Sequence, residues 1–291
     1  MRLAARVAAR ATALVCLAAL MSAARAQDTD ILAPEASNRK AREVIQQSIQ
    51  AMGGAAYLGV KDATRKGRFS RIQHNGQVTG TIQIVDLLKM PNKERLEYIF
   101  RHFYETFLPI PIEAPFHKTG TAYEVHNGDQ GWLLGGGGVE ELPRDVLEQR
   151  EEQRRTSFNV VFRERLDDPT LVLRYGGMDV LDLKTVDWIE ISDGGRYTAL
   201  LAIDRATHLP LRTVYRSRDP KTRDIIEEVE HYSNYHAFQG VVTPMQILRD
   251  RNGWQNSQLF LEDVKYNTGL SDELFTREGL EAMARGKGKK D

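Results

Sequence analysis

"YTALLAIDRATHLPLRTVYRSR", residues 197–218, carries the pattern that decides the fold. Tyr197, Ala199, Leu201 and Ile203 occupy every second position, residues 204–208 interrupt them, and Leu209, Leu211, Thr213 and Tyr215 resume the alternation opposite Arg212, Arg216 and Arg218. A period of two sends successive side chains to opposite faces of a strand. The segment therefore reads as two strands, each with one dry face, joined by a short local turn.

The same reading extends in both directions. Val78, Ile82 and Ile84 alternate with Thr79, Thr81 and Gln83, and Asn75-Gly76 just before them predicts a type I′ hairpin turn. Leu96, Tyr98 and Phe100 alternate with Arg95, Glu97 and Arg101. Two short strands follow around Tyr123 to Val125 and Trp132 to Leu134, joined through Asn127-Gly128; "GGGG", residues 135–138, is expected to turn the chain from strand into helix. Downstream, Val241, Met245 and Ile247, then Phe260, Val264 and Tyr266, mark further strands, with turn signals at Asp193-Gly194-Gly195, Asp219-Pro220 and Asn252-Gly253. The expected fold is mostly antiparallel β with α (α+β): a curled, half-open β-barrel of about ten strands, with helices covering one side.

Two helices are expected. Ser37 caps the first, which runs to about Met52 with Ala41, Val44, Ile45, Ser48, Ile49 and Met52 on one stripe and Gly53-Gly54 at its end. The second opens at Leu142-Pro143. Its first half, "LEQREEQRR", is solvated, and its second half places Phe158, Val161, Phe162 and Leu166 at helical spacing.

The N-terminus predicts export. Arg2, Arg6 and Arg10 precede an uncharged run of 14 residues, 11–24, and Ala24-Arg25-Ala26 offers a cleavage site, the pattern of a secretory signal peptide. The expected organisation is a cleaved signal at 1–26, one domain at 27–277 and a basic, disordered tail at 278–291. The expected location is the periplasm, including the periphery of the outer membrane. Cys16 is the single cysteine and lies in the signal, so the chain after residue 26 has neither disulfides nor cysteine-bound metal. That portion carries 36 basic and 40 acidic residues, a mild negative balance that argues against nucleic acid as a partner.

Catalytic signatures are missing from the sequence: it has no G-x-S-x-G, H-E-x-x-H, phosphate-binding loop or dinucleotide fingerprint. The seven histidines are scattered, and the nearest pair, His231 and His236, lies at odd spacing in an expected strand, which is poor for joint metal ligation. No cofactor and no metal is expected, and the reading is non-enzymatic.

Several segments together resemble the LolA/LolB-like periplasmic lipoprotein carriers, and above all the longer relatives labelled outer-membrane lipoprotein-sorting proteins. "AREVIQQSIQAMGG" is similar to the family's opening helix, "MPNKERLEY" to its Pro-Asn strand start and "NGDQGWLL" to its hairpin. "AIDRATHLPLRTVY" resembles its strand-turn-strand, and "YHAFQGVVTPMQI" and "VKYNTGLSDELF" its closing strands. The resemblance implies an apolar concave face that holds acyl chains, with a lipid or acylated lipoprotein as ligand and transient contact with a membrane surface or envelope proteins. Met90 stands before Pro91-Asn92 where the classical carrier has an arginine that helps hold its lid, so no latch is transferred to this chain.

The expected ligand-contacting residues are the inward-facing Leu96, Tyr98 and Phe100, with Trp132, and the proline-spaced apolar stretch "TFLPIPIEAPF", which contributes Phe107, Leu108, Ile110, Ile112 and Phe116 as lid or rim. Each buried methylene is worth roughly 0.8 kcal/mol, enough to hold an acyl chain without polar contacts. Two other readings remain open: a non-catalytic envelope assembly or stress-sensing module with a filled core, and a periplasmic hydrolase.

Overall fold

The computed structural model describes residues 32–100, 120–135, 137–195, 197–219 and 222–287. The expected signal peptide and the proline-spaced stretch lie outside them. Contacts divide the chain into Met1–Ala36 and Ser37–Asp291, and the second unit, described here, holds the whole sheet.

Helix α1 (Pro34–Ala51) and the single turn α2 (Ala55–Leu58) precede six strands: β1 (Asp62–Ile72), β2 (Val78–Lys89), β3 (Lys93–Phe100), β4 (Gly120–Asn127), β5 (Gln130–Gly135) and β6 (Gly138–Glu141). Helix α3 (Arg144–Thr156), the short α4 (Phe158–Val160) and a π-helical turn (Val161–Arg165) follow. Seven more strands complete the sheet: β7 (Val172–Leu181), β8 (Lys184–Ser192), β9 (Thr198–Asp204), β10 (Pro210–Arg218), β11 (Ile225–Phe238), β12 (Val241–Arg251) and β13 (Trp254–Tyr266). A 3₁₀ turn (Asp272–Phe275) and helix α5 (Arg277–Lys287) end the described chain.

All 13 strands form one antiparallel sheet in the order β6-β5-β4-β3-β2-β1-β13-β12-β11-β10-β9-β8-β7. The count exceeds the expected ten, and the sheet is not closed: β6 and β7 are its two edges. The opening segment is β9 and β10, paired from Pro210↔Ile203 to Arg216↔Thr198. Several joints are two-residue hairpins of the type I′ kind, with both central residues at positive φ. Asn252-Gly253 (φ 50° and 83°) is the one expected; Gln239-Gly240 (51° and 82°) and Asp182-Leu183 (50° and 65°) lack a Gly or Asn at one or both positions and were not. Gly135 pairs with Gly138, so "GGGG" turns β5 into β6 and not strand into helix. Asn75-Gly76 lies in a longer loop in which only Gly76 has positive φ (81°), with Gln73 N–H donating to Gln77 O at 2.9 Å.

Helices cover both faces, not one. On the inner face, α1, α4 and the π turn pack against Ile82, Ile84, Tyr98 and Phe100 on one side and Ile189, Ile191, Leu201 and Ile203 on the other, in one buried cluster. On the outer face, Phe275 and Leu280 pack against Leu87, Tyr123, Val125, Trp132 and Leu134. Leu280 is 0% exposed, so the expected disordered tail from residue 278 is helical as far as Lys287.

Two local corrections have physical causes. Ser37 is not an N-cap: the helix begins a turn earlier with proline in its first turn, where the missing N–H costs nothing. Ser37 is buried, and its Oγ accepts from Tyr175 N–H at 2.9 Å while Asn38 Nδ2 donates to Leu173 O at 3.2 Å. Both partners are on edge strand β7, whose free backbone groups α1 thereby satisfies. In β13, Leu259 and Leu261 face inward in place of the expected Phe260. A bulge between Lys66 and Gly67 shifts the β1–β13 register, and a bulge changes which face subsequent residues take. Gly67 is required there, since a Cβ would collide with the Phe260 carbonyl oxygen.

Candidate functional site

Helix α3 is unlike the other long helices. Its sequence, "RDVLEQREEQRRT", is almost entirely charged or polar, and only Thr156 is buried. Extended backbone at Ser157 (φ −66°, ψ 141°) breaks it from α4, where burial begins with Phe158. Polar bonds hold it to the sheet. Arg150 pairs with Glu94 of β3, and Gln153 Nε2 donates to Glu228 Oε2 of β11 at 3.5 Å. Arg154 Nη1 donates to Pro91 O between β2 and β3 at 3.0 Å, while the neighbouring Arg155 Nε meets Asp193 Oδ2 between β8 and β9 at 3.0 Å.

Beneath α3 the inner face is charged. The inward series on β2 runs Ile82, Ile84, Asp86, and Arg65 of β1 lies opposite Asp86 in register and pairs with it. On β4 the inward positions are Glu124 and His126, both buried. Tyr98 O–H donates to Glu124 Oε2 at 3.1 Å, and His126 Nε2 lies 2.7 Å from Glu124 Oε1. Across the interior, Arg249 Nε donates to Glu230 Oε1 and Tyr232 O–H to Glu230 Oε2, both at 2.7 Å. Arg251 Nη1 reaches Glu228 Oε1 at 3.2 Å.

Burial, reinforced by Glu124, pushes the Tyr98 hydroxyl well above its ordinary range, and burial with Glu230 does the same to Tyr232. Both therefore stay protonated and donate. Burial pushes Glu230 up, but the charge and hydrogen bond of Arg249 outweigh it and hold the carboxyl below its usual value. Burial lowers Arg150 to about 10, which leaves it cationic at neutral pH. The result is a charged floor of ion pairs and hydrogen-bonded carboxylates, able to bind and orient polar groups. Among the described residues no group of three or more His, Cys, Asp or Glu side chains is arranged to hold a metal ion.

Of the residues singled out in the sequence, Tyr98 and Phe100 are buried on the inner face and Leu96 packs against the same cluster. Trp132 is separated from them: it belongs to the outer-face cluster under α5. Phe107, Leu108, Ile110, Ile112 and Phe116 lie outside the described residues. The sequence reading missed Asp86, Glu124, His126, Glu230 and Arg150. For Asp86 the signal was present, a charge at the dry position of the alternation Ile82, Ile84, Asp86, Leu88.

No family model and no curated protein sequence matches the chain. Solved structures do. A DUF1329 family protein from Desulfovibrio piger aligns at TM-score 0.56 and 14% identity over 84% of this chain and 99% of its own. A putative outer membrane lipoprotein-sorting protein domain from Vibrio parahaemolyticus aligns at 0.54 and 12% over 84% and 99%. A LolA superfamily protein from Nitrosomonas europaea aligns at 0.53 and 13% over 82% and 98%. At such identities the likeness is one of fold, and the fold of this chain is LolA-like.

Proposed function

We propose that this is an exported, periplasmic binding protein or carrier for a lipid or an acylated protein, acting by burial and shape rather than by catalysis. One observation carries the reading. Arg154 and Arg155 are consecutive, yet they touch connections that follow β2 and β8, the latter leading into β9. A flat sheet would hold β2 and β9 six strand spacings, about 29 Å, apart. The sheet is therefore curled into a half-open barrel whose two halves converge on α3, which closes the interior as a strap. Its floor joins an apolar region around Tyr98, Phe100 and Leu96 to a polar one beneath the strap, as an amphiphile requires. The likeness to a lipoprotein-sorting domain agrees with this reading.

The test is mass spectrometry of an organic-solvent extract from protein purified without detergent, followed by uptake of added phospholipid. Stoichiometric lipid is the expected result. An empty extract together with no uptake would favour the second reading, a protein-contact module. That reading has its own observation: Met178 (60% exposed), Val180 (65%) and Leu183 (99%) display apolar side chains along the β7 edge and its hairpin.

A further inference from the structure

We infer that Asp86 is the anchor of a site for a primary ammonium group, the polar end of an aminated amphiphile; the lipid part of this inference rests on the proposed function. Asp86 is 4% exposed. Arg65 directs both Nε, at 3.0 Å, and Nη2 to the same oxygen, Oδ2. Oδ1 is buried and has no hydrogen-bond partner among the described residues.

Of the neighbouring donors, Arg150 pairs with Glu94 and Tyr98 donates to Glu124, and neither bonds Oδ1. A buried carboxylate oxygen without a donor is unfavourable, and only a group with an N–H or O–H of its own relieves it. Charge favours one kind. Asp86 is a carboxylate on a face that also carries Glu94 and Glu124, so a cationic donor is better accommodated there than an anionic one. Hydrocarbon flanks the position: Ile84 is buried two residues before Asp86, Leu88 lies two residues after it, and Leu96 stands opposite it on β3. A headgroup at Asp86 would thus have hydrocarbon beside it along the strand and across to β3.

The full chain, purified without detergent, is offered vesicles of phosphatidylethanolamine, phosphatidylcholine or phosphatidylglycerol with identical acyl chains, and ethanolamine alone. Bound ligand is read by mass spectrometry and by displacement. Phosphatidylcholine keeps the positive charge but has no N–H, so the unmodified protein separates charge from hydrogen bonding. The expected result is a preference of about tenfold for phosphatidylethanolamine over both other lipids, the size of one charge-assisted hydrogen bond. Asp86→Asn should reduce it to less than about twofold while uptake of phosphatidylglycerol persists. Equal uptake of the three lipids overturns the ammonium site and leaves lipid binding standing. Ethanolamine binding that Asp86→Asn abolishes, without uptake of any lipid, supports the site for a free amine and overturns the carrier reading. No binding of any probe overturns both. If the variant fails to fold, the comparison of the ethanolamine and choline lipids on the unmodified protein decides.

Discussion

Helices α1 and α3 both lie on the inner face of one sheet, yet they are held there by different physics. Helix α1 buries Ala41, Val44, Ile45 and Ile49 at 0–1% exposure and ties down the β7 edge through Ser37 and Asn38. Helix α3 buries only Thr156 and is held by Arg150, Gln153, Arg154 and Arg155. Apolar burial is non-directional and is lost only when the packed surfaces part. Exposed and half-exposed ion pairs are individually weak and screened by salt. The first helix is part of the core, whereas the second should be able to open without unfolding it.

The largest effects should therefore come from α1. Ile45→Ala leaves a cavity in the inner cluster, where Ile45 is 0% exposed, and about 4 kcal/mol of stability should be lost, read as a lower denaturant midpoint at unchanged slope. A loss below about 1 kcal/mol would mean that α1 is no more integral than α3, which breaks the comparison.

The outer face supplies a control. Phe275 is 0% exposed and packs with Leu280 against Leu87, Tyr123 and Trp132. Phe275→Ala should cost about 3 kcal/mol, close to the α1 variant and far from any α3 variant, because burial and not position in the chain sets the size. Limited proteolysis after residue 270 then tests whether α5 detaches in the variant; a C-terminus as resistant as in the parent would show that Phe275 does not hold it.

How much of this was legible in the sequence follows from the same contrast. Helix α1 announced itself, since Ala41, Val44, Ile45, Ser48 and Ile49 of the expected stripe are buried in it and Met52 is buried just past its end. So did the strand pairs joined at Asn252-Gly253 and near Asn127-Gly128, because turn chemistry there is local, although Asn127 ends β4 and the second turn is Gly128-Asp129. Asp182-Leu183 hid a hairpin: leucine at φ 65° breaks the turn rule that the reading depended on. The 13-strand count was missed for that reason and because "GGGG" resembles a loop. Most of the candidate site was illegible. Glu124, His126, Glu230 and Arg150 come from β4, β11 and α3, and only the curl of the sheet assembles them. Inward charges in an alternating strand, such as Asp86, were the one available clue.

A pH titration sharpens the comparison from the polar side. Glu230 is held below its usual range by Arg249 despite the opposing effect of burial. A carboxyl depressed in the folded state adds stability that is complete above its unfolded value, near 4.3, and is lost as pH falls through the folded value. The parent should therefore lose stability below about pH 4 through this group. Glu230→Gln should be about 1–2 kcal/mol less stable at pH 7, with the gap closing on acidification. A gap that stays constant from pH 7 to pH 3 would assign the loss to packing rather than to charge.

The smallest global effect is expected at the strap itself. Arg150→Ala removes the pair with Glu94, whose side chains are 28% and 17% exposed and so partly buried. Its loss should cost about 1–2 kcal/mol, at the low end because the helix can open to water. The consequence is local instead. With one of its anchors gone, α3 should exchange its amide hydrogens faster over residues 144–156 while α1 and the sheet keep their protection, since local openings are set by the contacts of the segment that opens. High salt should produce the same pattern in the parent protein by screening the half-exposed pairs. If lipid enters between the two halves of the sheet, the variant should also load and release it faster at nearly unchanged affinity, because the strap governs access and the apolar floor governs binding. Uniform loss of protection across α1 and α3 would show that the two helices open as one unit, and the interior would then have no separate entrance at α3.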